Sequence, residues 1–308
     1  MSDPPQEVTG LAQRRAAARA ARDFAGADSL RAEIAELGWA VADRSEGFDL
    51  RPRPPYDVAP TARDLPDRSA DPDTRRASVG VIVDGWPEDL RAFATAFLAH
   101  APAGVILLAL DIDNRDGAGD VLHSLAAAHP GRIVEFHVER PPGWGAAVAA
   151  LVRADTAAVH VMADLSTIFD GDAISPLLAE LDDPSVVGSG WRGVRVGGDW
   201  LSFDDAPPGD VEAVLGYLFA VRRAALLAVP PHPKARFYRN ADMELSLALR
   251  LAGLGRLTVP AAGLPVHQAR HRGYHNSDPA FRDKESKRNY DRLLQRFRGR
   301  EELRLPGG

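Results

Sequence analysis

The chain has 308 residues, 45% hydrophobic and 26% charged, with a formal net charge of −6 from 43 acidic and 37 basic residues. That is enough for one large domain, or a medium domain with an appendage, and for a core that needs no staples. The absence of cysteine excludes disulfides, thiolate metal sites and cysteine nucleophiles, and the mild acidity argues against a general nucleic-acid binder.

Met1 to Gly10 is polar and carries no apolar run behind a basic region, so no signal peptide is expected. No stretch approaches the ~20 apolar residues of a membrane span. A cytoplasmic protein is the expectation. Leu11 to Leu37 reads as helix, because Ala12, Ala16, Ala20, Phe24, Ala27, Leu30 and Ile34 recur at spacings of three and four. Gly26 is expected to divide it into a hairpin, with Gly38 as the C-cap. Trp39 to Ala42 alternates towards a turn at Ser45-Glu46-Gly47, and Phe48 to Leu50 returns as the second strand of a small β-hairpin. An N-terminal appendage over residues 1–50 is therefore expected.

This appendage resembles the C-terminal end of cysteinyl-tRNA synthetases. The resemblance is carried by Ala18-Arg19, Arg22-Asp23-Phe24-Ala25, Ala27-Asp28, Leu30-Arg31, Leu37-Gly38, and Asp43 ahead of Gly47. It includes no catalytic residue. Packing or a homodimer contact is one use for such a hairpin. Contact with tRNA through Arg14, Arg15, Arg19 and Arg22 is another, and the net acidity of the chain argues against it.

Residues 51–76 contain Pro52, Pro54, Pro55, Pro60, Pro66 and Pro72 among Arg and Asp. No hydrophobic period survives there, which predicts an extended linker. From residue 77 to 308 the pattern becomes strands alternating with helices. Strands are predicted over Val79 to Val83, Gly104 to Leu110, Arg132 to Val138 and Ala157 to Met162. Helices are predicted over Glu88 to Ala99, Gly119 to His129 and Ala146 to Arg153. Continuous apolar runs spaced by helices imply βαβ units and a mostly parallel sheet covered on both faces. A last helical stripe, Tyr290, Leu293, Leu294 and Phe297, is expected to pack back on the domain.

Ligands of parallel sheets bind beyond the carboxyl ends of the strands. Asp84, Asp111, Asp113 and Asp164 fall at those ends, and carboxylates there suit a hard divalent cation or a polar nucleotide. No P-loop motif occurs, and Gly143-Trp144-Gly145 does not complete a dinucleotide fingerprint. Gly143 and Gly145 serve either a turn or a phosphate, and Trp144 either stacks on a ligand or packs in the core. Arg270 and Arg272 suit a phosphate through their planar donor forks, or form a solvated basic face.

The order of these pieces resembles the inverting family 2 glycosyltransferases of GT-A fold. The motifs are Val83-Asp84, Leu110-Asp111-Ile112-Asp113-Asn114, Gly143-Trp144-Gly145-Ala146-Ala147 and Met162-Ala163-Asp164-Leu165-Ser166, then Gly216 to Arg223, Asn240-Ala241-Asp242-Met243-Glu244 and Val266-His267. The resemblance implies an α/β, Rossmann-like fold with a mostly parallel central sheet flanked by helices. It implies transfer of a sugar from a nucleotide-diphosphate sugar to an acceptor hydroxyl whose identity the sequence does not reveal. Asp84, Asp111, Asp113, Gly143, Gly145 and Asp164 would meet the nucleotide. Asp164 and His267 would hold a divalent metal, Mn or Mg, and Asp242 would be the general base. Taken by itself, Asp242 is equally an acid stabilised at a helix N-terminus, and His267 a satisfied histidine. The chain departs from the family pattern at Ser166, where a second metal-binding Asp is expected, and at Ala149, where the family often has Asn or Asp. These departures favour the alternative of a non-catalytic nucleotide-sugar binder or scaffold.

Overall fold

A computed structural model describes residues 3–44 and 47–305. The chain divides into two compact units, Met1–Asp57 and Val58–Gly308. Among the described residues, no helix is long and apolar enough to cross a membrane.

The first unit pairs helix α1 (Gln6–Ala20) with α2 (Phe24–Glu36), followed by the antiparallel strands β1 (Trp39–Asp43) and β2 (Phe48–Pro52). The helices part at residues 21–23 rather than at Gly26. Asp23 caps α2 by accepting the Gly26 N–H at 2.9 Å, so the capping side chain sets the break and Gly26 lies within the first turn. Val8, Leu11, Ala12, Ile34, Trp39 and Val41 form the core of this unit. Arg15, buried, forks onto Asp43 at 2.6 and 3.2 Å and holds that carboxyl below its usual range. The expected turn at Ser45-Glu46 lies outside the described residues.

The second unit opens with the predicted alternation: β3 (Arg75–Val83), α3 (Pro87–His100), β4 (Ile106–Ile112), α4 (Ala118–Ala128), β5 (Ile133–Val138), α5 (Trp144–Ala154) and β6 (Ala157–Ala163). A second stretch adds β7 (Thr167–Phe169), α6 (Ile174–Glu180), β8 (Val186–Gly190), β9 (Gly193–Val196), β10 (Phe203–Ala206), β11 (Gly209–Val211), β12 (Ala213–Val214), β13 (Leu218–Arg222) and α7 (Arg223–Ala228). The chain ends with α8 (Ala241–Leu251), β14 (Arg256–Val259), β15 (Val266–Gln268), α9 (Arg272–His275) and α10 (Pro279–Phe297).

One sheet organises the unit, in the order β11-β14-β8-β13-β6-β3-β4-β5. The strands β5, β4, β3 and β6 are mutually parallel, and β14 is parallel to β8. Strand β13 runs antiparallel to both β6 and β8, which points β8 the same way as β6, and β11 is antiparallel to β14. The sheet is thus mostly parallel, with both faces buried. Val79, Val81, Leu107 and Ala109 pack with Phe93 and Phe97 of α3. Leu108, Leu110 and Ile112 pack with Ala147 and Leu151 of α5.

Two expectations change on folding. The Pro-rich stretch is not wholly a linker. Ala59 forms a β-bridge with Val138, and Ala62 and Leu65 are buried against the β4–α5 layer, so apolar side chains without a visible period complete the sheet edge. Thr167 to Leu181, which the glycosyltransferase resemblance implies as one helix, is divided, because Thr167–Phe169 pairs with β15 before α6 begins. Phe169 there meets Phe93 and Phe97 edge-on at 5.8 and 6.3 Å.

Candidate active site

The strand ends bring Asp84, Asp111, Asp113 and Asp164 to one side of the sheet, and each has a different environment. Asp84 and Asp113 flank Arg115, whose guanidinium lies 2.6 Å from Asp84 and 3.9 Å from Asp113. Asp113 takes φ = 86° and Asn114 42°, left-handed conformations costly outside glycine. Asn114 repays this by capping α4, with its Oδ1 accepting the N–H groups of Gly119 at 2.8 Å and Asp120 at 3.3 Å. The sharp turn leaves the Asp84 and Asp113 carboxylates half open to solvent.

Asp111 does not face the solvent with them. It is 1% exposed. Its Oδ2 meets His137 Nδ1 at 3.0 Å and its Oδ1 accepts the Asn114 N–H at 3.1 Å. His137 continues to Glu135 at 2.9 Å, and Glu135 to His123 at 2.9 Å. Burial works against a charged His137, but the two carboxylates outweigh it and raise its pKa. The carboxylate expected to meet a nucleotide is thus buried inside the sheet, with one oxygen on His137 and the other on the Asn114 N–H.

Gly143 and Gly145 are likewise occupied by protein. Gly143 has φ = 82°, and a Cβ there would come within 3.0 Å of Arg236 Cα. A Cβ at Gly145 would strike the His232 carbonyl. The N–H groups of Trp144 and Gly145 bond the Arg236 and Ala235 carbonyls at 3.3 and 2.8 Å. The absence of a Cβ at both positions lets the 232–236 loop pack against the start of α5.

Asp164 follows β6, its own N–H bonded to the Tyr217 carbonyl at 3.1 Å. Its Oδ1 accepts the Ser166 N–H at 2.8 Å and the Ser166 hydroxyl at 2.5 Å. Its Oδ2 lies 3.1 Å from Nε2 of buried His271. Burial opposes the Asp164 charge, but His271 and Ser166 outweigh it and lower its pKa. The histidine beside Asp164 is therefore His271. His267, which the sequence suggested, is exposed on β15 and pairs with Asp170 at 2.8 Å. The cause is the backbone: Ala269 N–H bonds the Ser166 carbonyl at 2.7 Å, and the chain turns back so that the later histidine arrives. His271 stood four residues on in the same basic run, so only the choice within that run was hidden.

Asp242 lies in the first turn of α8, after Asn240 at φ = 65°. It is 5% exposed. Its Oδ2 accepts the Gly216 N–H at 2.9 Å and its Oδ1 the Met243 N–H at 2.8 Å. Burial, only partly offset by these N–H groups, pushes its pKa up to about 6. Tyr217 and Tyr238, which the sequence did not single out, stand beside it, and burial raises the pKa of both phenols. A small inner cavity of about 60 Å3 touches Asp164, Asp242, both tyrosines and Trp144, and reaches inward to His160, whose Nδ1 is held by Asp155 at 2.7 Å. A broader cavity of about 1070 Å3 opens over Asp242 and is walled by residues of 191–215, 238–243 and 266–275.

This architecture is the GT-A glycosyltransferase fold. The solved structure of GalNAc-T7 with UDP, GalNAc and Mn2+ matches with a TM-score of 0.59 and 17% identity, over 71% of this chain and 48% of that one. The mannosyltransferase PcManGT from Pyrobaculum calidifontis, in complex with GDP-Man and Mn2+, matches with a TM-score of 0.56 and 17% identity, over 79% of this chain and 68% of that one. At such identity the likeness is one of fold. The N-terminal segment is similar to a cysteine–tRNA ligase from Opitutus terrae, 53% identical over 51 residues. That match covers 17% of this chain and spans only 11% of the ligase. No family model matches the chain.

Both solved structures contain Mn2+. Among the described residues, no three His, Asp or Glu side chains converge as a metal cage. Asp164 offers one carboxylate and His271 one imidazole. The position of a second carboxylate is held by Ser166, 3% exposed, with its hydroxyl already turned onto Asp164. Hard divalent ions prefer several oxygen ligands, so this set does not make a metal site by itself.

Proposed function

We propose that the chain is an inverting glycosyltransferase that uses a nucleotide-diphosphate sugar. The observation that carries this reading is Asp242: a buried carboxylate, fixed by two backbone N–H groups, at the mouth of a broad cavity beyond the sheet. A group with pKa about 6 is ionised at neutral pH yet basic enough to take a proton. In the proposed step the acceptor hydroxyl gives its proton to Asp242 as its oxygen bonds the anomeric carbon. The bond from that carbon to the diphosphate oxygen breaks on the opposite face, and the nucleoside diphosphate leaves with the electron pair. Asp84 and Asp113, half exposed beside Arg115 at the strand ends, would accept from a base or ribose through the carboxylate oxygens that Arg115 leaves open. His271 Nε2, 3.1 Å from Asp164 Oδ2, engages that carboxylate on the side where the diphosphate would lie.

Calorimetry with UDP- and GDP-sugars, with and without Mn2+, tests donor binding, and product analysis in the parent and in Asp242→Asn tests transfer. Donor binding with loss of transfer in Asp242→Asn supports the reading. A second reading, a nucleotide-sugar binder without catalysis, is favoured by Ser166. It would be established by tight donor binding with neither transfer nor hydrolysis in the parent.

A further inference from the structure

The broad cavity over Asp242 carries an excess of positive charge. Arg192, Arg239 and Arg270 line it, against the two carboxylates of Asp205 and Asp242. Each arginine is held by neutral partners. The Arg192 guanidinium lies 4.6 Å from the Trp191 ring centre and 5.5 Å from that of Tyr217. Arg239 donates to the Tyr274 hydroxyl at 2.6 Å, and Arg270 to Asn276 Oδ1 at 3.2 Å. Among the described residues, none of the three has a carboxylate within the 4.0 Å of an ion pair. Other arginines of the chain do meet carboxylates, as Arg115 with Asp84, Arg256 with Asp183 and Arg292 with Glu244. Side-chain stacking and a tyrosine hydroxyl orient a guanidinium without neutralising it, which leaves its donor fork for a ligand.

The set lies on the side of Asp242 away from the strand ends, in a cavity that also includes Tyr217 and His271. Its cavity is walled by residues after β8, at the start of α8 and after β15, and not by Asp84, Asp113 or Asp164 at the strand ends. A phosphate meeting two or three unpaired guanidiniums forms charge-assisted, bidentate bonds, the strongest class available to an anion here. We infer that Arg192, Arg239 and Arg270 form a phosphate-binding set beside Asp242, and that the acceptor carries a phosphate group near the hydroxyl to be glycosylated. The statement about the acceptor rests on the transfer reading above; the anion site itself does not.

The test is titration of the full chain with inorganic phosphate, followed by calorimetry and tryptophan fluorescence, alone and after saturation with UDP or GDP. Saturable phosphate binding is expected. It should persist with nucleotide bound and weaken roughly tenfold or more in Arg192→Gln and in Arg239→Gln. Arg192→Lys should recover part of the loss, and unchanged melting of the variants shows that they fold. Full displacement of phosphate by UDP or GDP would assign the set to the donor diphosphate and overturn the acceptor inference. Absent saturation, or equal affinity in the glutamine variants, would overturn the site itself. Arginine-dependent phosphate binding in a chain that binds no nucleotide would uphold the anion site and bring down the transfer reading instead.

Discussion

Asp111 on β4 and His137 on β5 are register partners across adjacent parallel strands, and their side chains meet at 3.0 Å, each side chain 2% exposed. The pair turns an acid that looks like a ligand into part of the frame that shapes the Asp113–Asn114 turn. Asp111→Ala should therefore destabilise the fold by about 3–5 kcal/mol, the usual cost of stranding one member of a buried ionic pair. Urea unfolding measures this. A small stability change together with a large loss of nucleotide affinity would return Asp111 to the binding site.

The same pair gives stability a pH dependence. The folded-state pKa of His137 is raised by Asp111 and Glu135. Its contribution is fully present below the unfolded histidine value, ~6.5, and is lost as pH rises through the folded value. The parent should lose stability as pH rises above ~6.5, and Asp111→Asn should lose less over the same range. Melting temperatures of the two proteins from pH 5.5 to 9 decide the point.

Asp242 has the opposite character, a carboxyl whose proton is held more tightly when folded. Its contribution is present below an unfolded value of ~3.9 and falls away as pH rises through about 6. Relative to the parent, Asp242→Asn should gain on the order of 2–3 kcal/mol between pH 4 and pH 7. In the proposed reaction kcat/KM should rise with pH to a plateau above the same pKa, and Asp242→Asn should lower kcat by ~10²–10⁴ with donor affinity kept. A flat pH profile with active Asp242→Asn would exclude it as the base.

Ser166→Asp restores a carboxylate beside Asp164 and His271. Mn2+ affinity, followed by calorimetry or by paramagnetic relaxation, should rise in the variant and stay weak in the parent. Equal, tight Mn2+ binding by both proteins would mean that the ligands lie elsewhere.

Helix α10 closes the domain against α8 through Leu293 and Phe297, both 0% exposed, and through Arg292, which forks onto Glu244. Phe297→Ala should cost about 3–5 kcal/mol. Residues 58–308 expressed alone should melt cooperatively, since their sheet and its covering helices are contained in that span. The same experiment on 77–308 should give a weaker transition, because Ala62 and Leu65 would be missing from the β4–α5 layer.

The alternation from β3 to β6 was legible in the sequence because it is a local property. An apolar run needs only its own side chains to require burial, and a helix between two such runs requires a parallel return. The placement of Asp84, Asp113, Asp164 and Asp242 at element ends followed from the same order. What each acid does was not local. Asp111 and Asp113 are two residues apart and chemically identical, yet strand register sets His137 beside one, while a left-handed backbone turns the other outward. His267 and His271 share one basic run, and pairing of β15 with β7 gives the first to Asp170 and the second to Asp164. The cationic wall over Asp242 draws Arg192, Arg239 and Arg270 from three distant loops, and only tertiary structure brings them around one space. A side chain's residue type is written in the chain, but its partner, burial and charge state belong to whatever the fold packs against it.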